Sequence, residues 1–301
     1  ALLWFTGGAG LALTTVGGAS YLTRIGGKGS LGVLAAFYAL SMTAGGALGN
    51  PLAGALIERW GFGVYSWTAA AIAAVLILCI TIAMPDLRAP ALETAPGRFS
   101  WTGGLAAARQ PNVRMVAGLR MLATLFYGML VVLVPLLLNE RTGSKALVAA
   151  YGTANLVVAS AAQLLAGRAA DRWGARAPTL AAFAALILAG LGLAASAETA
   201  AGLFAFGVLG IAAAWSLSTL MYVWVNDGIK RADHPKVFGL LHAVWSLSMM
   251  GGAVLGGWLV EVRPGLPFLL GGLLNAFSIA LALLYYRQGA LKETQLSEPQ
   301  G

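Results

Sequence analysis

Nine stretches of this chain are long and apolar enough to cross a bilayer: 2–22, 31–57, 64–84, 114–138, 146–167, 177–196, 201–225, 237–260 and 266–286. A helix rising 1.5 Å per residue needs about 20 residues to span the roughly 30 Å of hydrocarbon. None of the runs alternates polar and apolar residues with the period of two that a membrane barrel requires. The expectation is an all-α integral membrane protein with nine transmembrane helices. Composition agrees, since only 10% of the residues are charged, against roughly 25% in a soluble domain. The single cysteine, Cys79, sits within an apolar run, so neither a disulfide framework nor a cysteine metal cluster can form within the chain. The forty glycines suit helices that pack in lipid, where small residues let backbones approach.

The basic residues give the orientation. One set of loops carries Arg24, Lys28, Arg88, Arg98, Arg109, Arg114, Arg168, Arg172, Arg176, Lys230, Arg231, Lys236, Arg287 and Lys292. The other set carries only Arg59, Arg141, Lys145 and Arg263. Loops rich in Lys and Arg stay in the cytoplasm, so the C-terminus is expected inside a plasma (bacterial inner) membrane. The net charge of +8 reports this asymmetry and is no sign of a nucleic-acid partner.

The densest charge cluster between two apolar runs is Gly167-Arg168-Ala169-Ala170-Asp171-Arg172-Trp173-Gly174-Ala175-Arg176-Ala177-Pro178. Such charge is costly in hydrocarbon, so the stretch reads as a tight cytoplasmic loop. Its order also resembles the loop motif of the major facilitator superfamily, G-x-L-A-D-R-x-G-R-R. Gly167, Asp171, Arg172, Gly174 and Arg176 match. Ala169 and Ala175 stand where a leucine and a basic residue are usual. The resemblance implies a secondary transporter of two six-helix repeats, with this loop acting as a gating latch against the start of the fifth helix of the other half. That start is expected near Lys28-Gly29-Ser30-Leu31-Gly32. There the free N–H groups and the positive end of the helix dipole attract a carboxylate, and Ser30 is a plausible N-cap.

Internal repetition supports the same architecture. Gly7-Gly8-Ala9-Gly10 resembles Gly207-Val208-Leu209-Gly210, and Gly45-Gly46-Ala47-Leu48-Gly49 resembles the run from Gly251 to Gly256. The first three spans thus correspond to the last three, while the spans over 114–196 have no partner upstream. The chain begins at Ala1 inside an apolar run. The expectation is that the family's first three helices are lacking and that helices four to twelve are present. The corresponding division is an incomplete N-terminal bundle over 1–84, a cytoplasmic linker over 85–112, a six-helix bundle over 113–288 and a cytoplasmic tail over 289–301. The linker is marked by Pro85, Pro90, Pro96, Gly97 and Pro111. Two further motifs of drug antiporters find partial counterparts. Trp4-Phe5-Thr6-Gly7-Gly8-Ala9-Gly10 keeps the glycines of the fourth-helix motif and has Trp4 at its arginine. The run Gly45 to Gly54, with Pro51, is similar to the fifth-helix motif. Gly45, Gly49, Gly252 and Gly256 are accordingly expected at helix contacts.

Polar residues inside spans are expensive and often mark a solute path. Arg120, Thr124 and Tyr127 share one helix face, at i, i+4 and i+7. Trp215, Thr219, Tyr222 and Asn226 form a similar stripe, as do His242, Trp245, Ser246 and Met249. Arg120, Thr124, Tyr127, Trp215, Thr219 and Tyr222 are the candidate cavity residues. Arg120 is also close enough to a helix end to snorkel instead. Asn155, Gln163 and His242 are further polar intramembrane candidates, equally suited to bonding a neighbouring helix. Each of the eleven acids lies in a loop, a tail or a helix end, so the span interiors hold no carboxyl group that could couple transport to a proton.

These features point to alternating-access transport of a small solute, with efflux of neutral or amphiphilic compounds as the leading expectation. A sugar or metabolite carrier, or a non-transporting receptor or assembly protein of the same fold, is the alternative. The expected partners are the lipid bilayer, a small-molecule substrate and a coupling proton or ion. Two histidines, one cysteine and no paired acids assemble no catalytic or metal constellation, and no G-x-x-x-x-G-K loop is present for ATP. Neither an enzyme nor a cofactor is expected.

Overall fold

The computed structural model describes residues 2–25, 30–83 and 106–297. The elements are α1 (Leu2–Ile25), α2 (Leu31–Ala83), α3 (Pro111–Thr142), α4 (Lys145–Trp173), α5 (Arg176–Ser196), α6 (Ala200–Gly228), a short 3-10 turn (Arg231–Asp233), α7 (His234–Val262) and α8 (Leu266–Ser297). Among the described residues there is no strand, and eight helical segments are long and apolar enough to cross a membrane. The remaining expected span, 2–22, is helical as α1.

Two expected spans, 31–57 and 64–84, are not separated by a loop. They are two arms of α2, with membrane-length segments at Leu31–Gly49 and Arg59–Ala83. Helical geometry is broken at Gly61 alone, where φ is 78° and ψ is 173°. That region of the map is essentially closed to any residue with a Cβ. One such residue re-aims the chain between arms, where the apolar pattern suggested a turn of several residues. The second arm exposes Trp60, Phe62, Trp67, Ile72, Ile77 and Ile82. A helix apolar all round and covered by little else is suited to a lipid surround.

Helices α3 to α8 pack into one bundle around α3, whose buried face includes Val113, Val116, Leu119, Phe126, Met129, Leu133, Val134 and Leu138. Local signals set the ends of its elements. Pro111 opens α3 at a position whose N–H needs no partner. Ser144 caps α4 by accepting from the Leu147 N–H, and Thr199 caps α6 by accepting from the Gly202 N–H. Close backbone contacts then lock the bundle. A Cβ on Gly252 would collide with the Leu125 carbonyl and one on Gly128 with the Met249 carbonyl, so α3 and α7 touch main chain to main chain. Gly190 of α5 lies equally close to Gly272 and the Phe268 carbonyl of α8. In lipid, where burial itself supplies little drive between helices, such contact is the main source of cohesion.

Two of the four expected packing glycines behave otherwise. Gly252 and Gly256 meet α3, but Gly45 and Gly49 have nothing within 4 Å. On that stretch Gly46 makes the contact, facing Leu156 of α4. A glycine-rich face allows close approach without dictating which glycine is used.

The ends of α3–α8 define two faces. One, the basic face, carries Arg168, Arg172, Arg176, Arg231 and Lys236; the other carries Arg141, paired with Glu198 at 2.5 Å. Most of the expected linker lies outside the described residues. From residue 106 a turn, with the Arg109 N–H donating to the Ala106 carbonyl, leads into α3. The apolar part of α8 ends at Gln288, but the helix continues to Ser297. Lys292, Glu293 and Gln295, all good helix formers, carry it through the region expected as tail.

Candidate functional site

A cavity of about 190 Å³ lies where α1 and the first arm of α2 meet α3, α6 and α7. From α3 it is lined by Arg120, Thr124 and Tyr127, and from α6 by Trp215, Ser218 and Tyr222. Tyr38 comes from α2, with His242 and Trp245 from α7. The aromatic rings brace one another. Tyr127 and Trp215 meet edge to face at 6.3 Å between centroids, Tyr38 and Tyr222 at 5.9 Å, and His242 stacks on Trp245 at 5.5 Å. These arrangements suit the quadrupoles of the rings and give the wall a fixed shape.

Arg120 faces this cavity. Its Nη1 donates to Ser218 Oγ at 3.0 Å, and its Nε is buried without a hydrogen-bond partner. Among the described residues no carboxylate lines the cavity.

Thr219 corrects the expected site. It is fully buried away from the cavity, and its hydroxyl donates back to the Trp215 carbonyl at 3.4 Å. Periodicity identified the correct helix but placed the centre of the stripe about a quarter of a turn off. At 100° per residue the lining residues Ala214, Trp215, Leu217, Ser218, Met221, Tyr222 and Trp224 cover one arc of the helix around Ser218, and Thr219 lies beyond its edge at Trp215. The α7 stripe likewise contributes only His242 and Trp245; Ser246 and Met249 do not line the cavity. Asn155 and Gln163 are also outside it. Gln163 is fully buried, and neither its side-chain oxygen nor its nitrogen has a partner, nor has Asn155 Oδ1. Ser218 and Tyr38 went unmarked by the sequence, Ser218 because serine, present also at 216, is unremarkable in a small-residue helix. Tyr38 could have been found as the one side chain with a hydroxyl on an aromatic ring in the first arm of α2. The fourth-helix motif at Trp4 to Ala9 has side chains outside the described residues, as do Lys28 and Gly29 of the expected latch receptor.

The loop motif is arranged around Asp171. Its Oδ1 accepts from the Gly32 N–H at 2.8 Å and its Oδ2 from the Val33 N–H at 2.7 Å. Both donors belong to the first turn of α2, where N–H groups have no partner inside the helix and the dipole is positive. Gly167 makes the approach feasible: a Cβ on it would strike the Gly32 carbonyl, and one on Gly32 would strike the Gly167 carbonyl. Gly174 ends α4 with a φ of 80°, its N–H returning to the Ala170 carbonyl at 2.9 Å. Arg172 and Arg176 are exposed, and Arg172 lies 5.6 Å from the centroid of the Trp173 ring. Among the described residues neither arginine pairs with Asp171.

Further contacts join α1 and α2 to the bundle. His234 Nδ1 lies 3.1 Å from Thr23 Oγ1 while Nε2 lies 3.1 Å from the Ile229 carbonyl. The Nε2 proton therefore serves the carbonyl. Thr43 and Ser160 join their hydroxyls at 2.7 Å between α2 and α4. The sequence did not single out either contact.

No curated protein matches the chain. A family model described as Major Facilitator Superfamily matches residues 116–300, more than half of the chain. With membrane-length helices and an all-helical fold, this establishes an integral membrane protein in contact with lipid and a small-molecule substrate. The chain belongs to the Major Facilitator Superfamily and is a secondary transporter.

Proposed function

We propose that the protein moves a small amphiphilic solute by alternating access, with residues 1–84 and 113–288 as the two moving bodies. In this reading 85–112 connects the bodies and 289–301 trails from the second. The basic face is cytoplasmic in a plasma membrane, because its loops carry the excess of Lys and Arg. Arg120, Thr124, Tyr127, Trp215 and Tyr222 form the solute site. Gly167, Asp171, Arg172, Gly174 and Arg176 form the latch. Thr219 has no part in binding.

The carrying observation is that the cavity has walls from both bodies, which are joined toward the basic face by Asp171 with the Gly32 and Val33 N–H groups and by His234 with Thr23, and again by Thr43 with Ser160. A site walled by two bodies can be exposed to alternate sides by rocking one against the other. The aromatic lining favours an amphiphile over a sugar, which would need many more hydrogen-bonding side chains. The similarity of residues 45–54 to an antiporter helix favours export.

The test locks the bodies together. Thr43→Cys and Ser160→Cys, in a Cys79→Ser background, place two thiols where two hydroxyls now touch. Oxidation in proteoliposomes should abolish solute flux, and reduction should restore it. Full cross-linking with undiminished flux would exclude rocking about this contact.

A further inference from the structure

A guanidinium carries five N–H donors in a rigid fork. Arg120 spends one bond on Ser218, and its Nε stays buried without a partner. A charge taken out of water is costly until a counter-charge and hydrogen bonds meet it. Among the described residues the cavity wall supplies no carboxylate to do so. The rest of the wall is aromatic or aliphatic for the most part, with Tyr38, Tyr127, Trp215, Tyr222, Phe238 and Trp245 lining the same cavity as Arg120. His242 is the other titratable nitrogen in the lining, and it stacks on Trp245. The site therefore joins one cationic fork without a counter-charge to a largely apolar space lined by aromatic rings.

That combination selects a ligand. A planar carboxylate can take two parallel N–H bonds from guanidinium, which a neutral amide cannot match in strength. A phosphate dianion would be left with a single arginine for two charges. A cation would meet Arg120 with nothing to offset the repulsion. The size agrees, since an apolar cavity of about 150 Å³ admits a benzene ring, and this one is about 190 Å³.

We propose that Arg120 anchors the carboxylate of a monoanionic aromatic acid, and that such acids are the solute class of this cavity. The proposal rests on the reading of the cavity as the transport site. Anion and ring would occupy it together, the carboxylate on the free side of the guanidinium and the ring between Tyr127, Trp215 and Tyr222.

The experiment compares three probes of one shape in the full chain reconstituted in nanodiscs: benzoate, benzamide and benzamidine. Binding is followed by quenching of tryptophan fluorescence at a pH where benzoate is ionised. Wild type should bind benzoate at least about tenfold more tightly than benzamide, or about 1.4 kcal/mol, with benzamidine the weakest. Arg120→Gln should reduce benzoate to the level of benzamide, and Arg120→Lys should keep part of the preference. Ala123→Phe, which fills the cavity, should abolish binding of all three. If benzoate binds no better than benzamide while Ala123→Phe removes both, the cavity is the site and the anion assignment is overturned. If all three probes bind Ala123→Phe as they bind wild type, the cavity reading fails first. Should Arg120→Gln not fold, the wild-type ranking and Arg120→Lys decide; absence of benzoate binding to wild type also overturns the proposal.

Discussion

Asp171→Asn changes a charge and almost nothing in size, which makes its effect calculable from the contact. The carboxylate accepts from two N–H groups of one helix turn, at 2.8 and 2.7 Å. The amide has a single oxygen, so one of those donors faces an NH2 group instead of an acceptor. Hydrogen bonds to a charged group contribute about 1.5–3 kcal/mol. An anion at a partly buried helix N-terminus contributes up to about 2 kcal/mol. The two figures describe overlapping physics and are not summed. A loss of about 2–3 kcal/mol is expected, equivalent to a shift of about 30- to 150-fold between the state that makes the contact and the one that does not. The assay uses a reporter cysteine at Ala19, a buried cavity residue, in a Cys79→Ser background. A membrane-impermeant maleimide is applied from the basic face. Asp171→Asn should accelerate labelling by about that factor and slow flux, because the latched state proposed above would no longer be held. Gly32→Ala attacks the same contact by bulk, its Cβ meeting the Gly167 carbonyl and Asp171, and should act in the same direction. Labelling and flux unchanged in Asp171→Asn would remove the latch and leave the motif as a basic loop.

Gly252→Ala should lower the unfolding midpoint in detergent by forcing α7 off the Leu125 carbonyl, at a cost of about 1–3 kcal/mol; Gly257→Ala, with nothing within 4 Å of its added methyl, should not. Gly61→Ala places a Cβ at a φ of 78° and should cost about 1–3 kcal/mol, read as reduced thermal stability. Thr219→Val should leave solute flux near wild type because the hydroxyl lies outside the cavity, whereas Trp215→Ala should reduce it strongly. Equal loss in these last two would restore Thr219 to the site.

Sequence patterns differ in what they can carry. Asp171 and its receptor were legible because a loop motif fixes the acid, and because Ser30, Leu31 and Gly32 mark a helix start that needs an anion or cap. The all-helical class followed from the runs, which have only one chemically reasonable structure in lipid. Thr219 was misjudged because a period of 3.6 says which residues share a face, not which way that face points. Tertiary packing sets the phase, and here it centres on Ser218. Gly45 and Gly49 show the corresponding limit for small residues, which permit contact on every side they occupy. Gly61 was invisible because one residue in a rare conformation does the work of a loop, and glycine is common throughout the chain. His234 reaches Thr23 across 211 positions, and neither residue has a neighbour in sequence that announces the other.

The mutual contact of Gly32 and Gly167 has a mechanical consequence. Two backbones that touch without side chains between them can part with no interlocked padding to disengage. The pair sits close to one end of α4, since Lys145, where that helix begins, is 22 residues from Gly167, or about 33 Å along its axis. A tilt of about 10° about the Lys145 end would lift Gly167 from Gly32 by about 6 Å at the same rise per residue, and the Asp171 carboxylate would leave the Gly32 and Val33 N–H groups with it. A small angular change at the far end of the helix would thus open a gap as wide as an aromatic ring at the glycine pair.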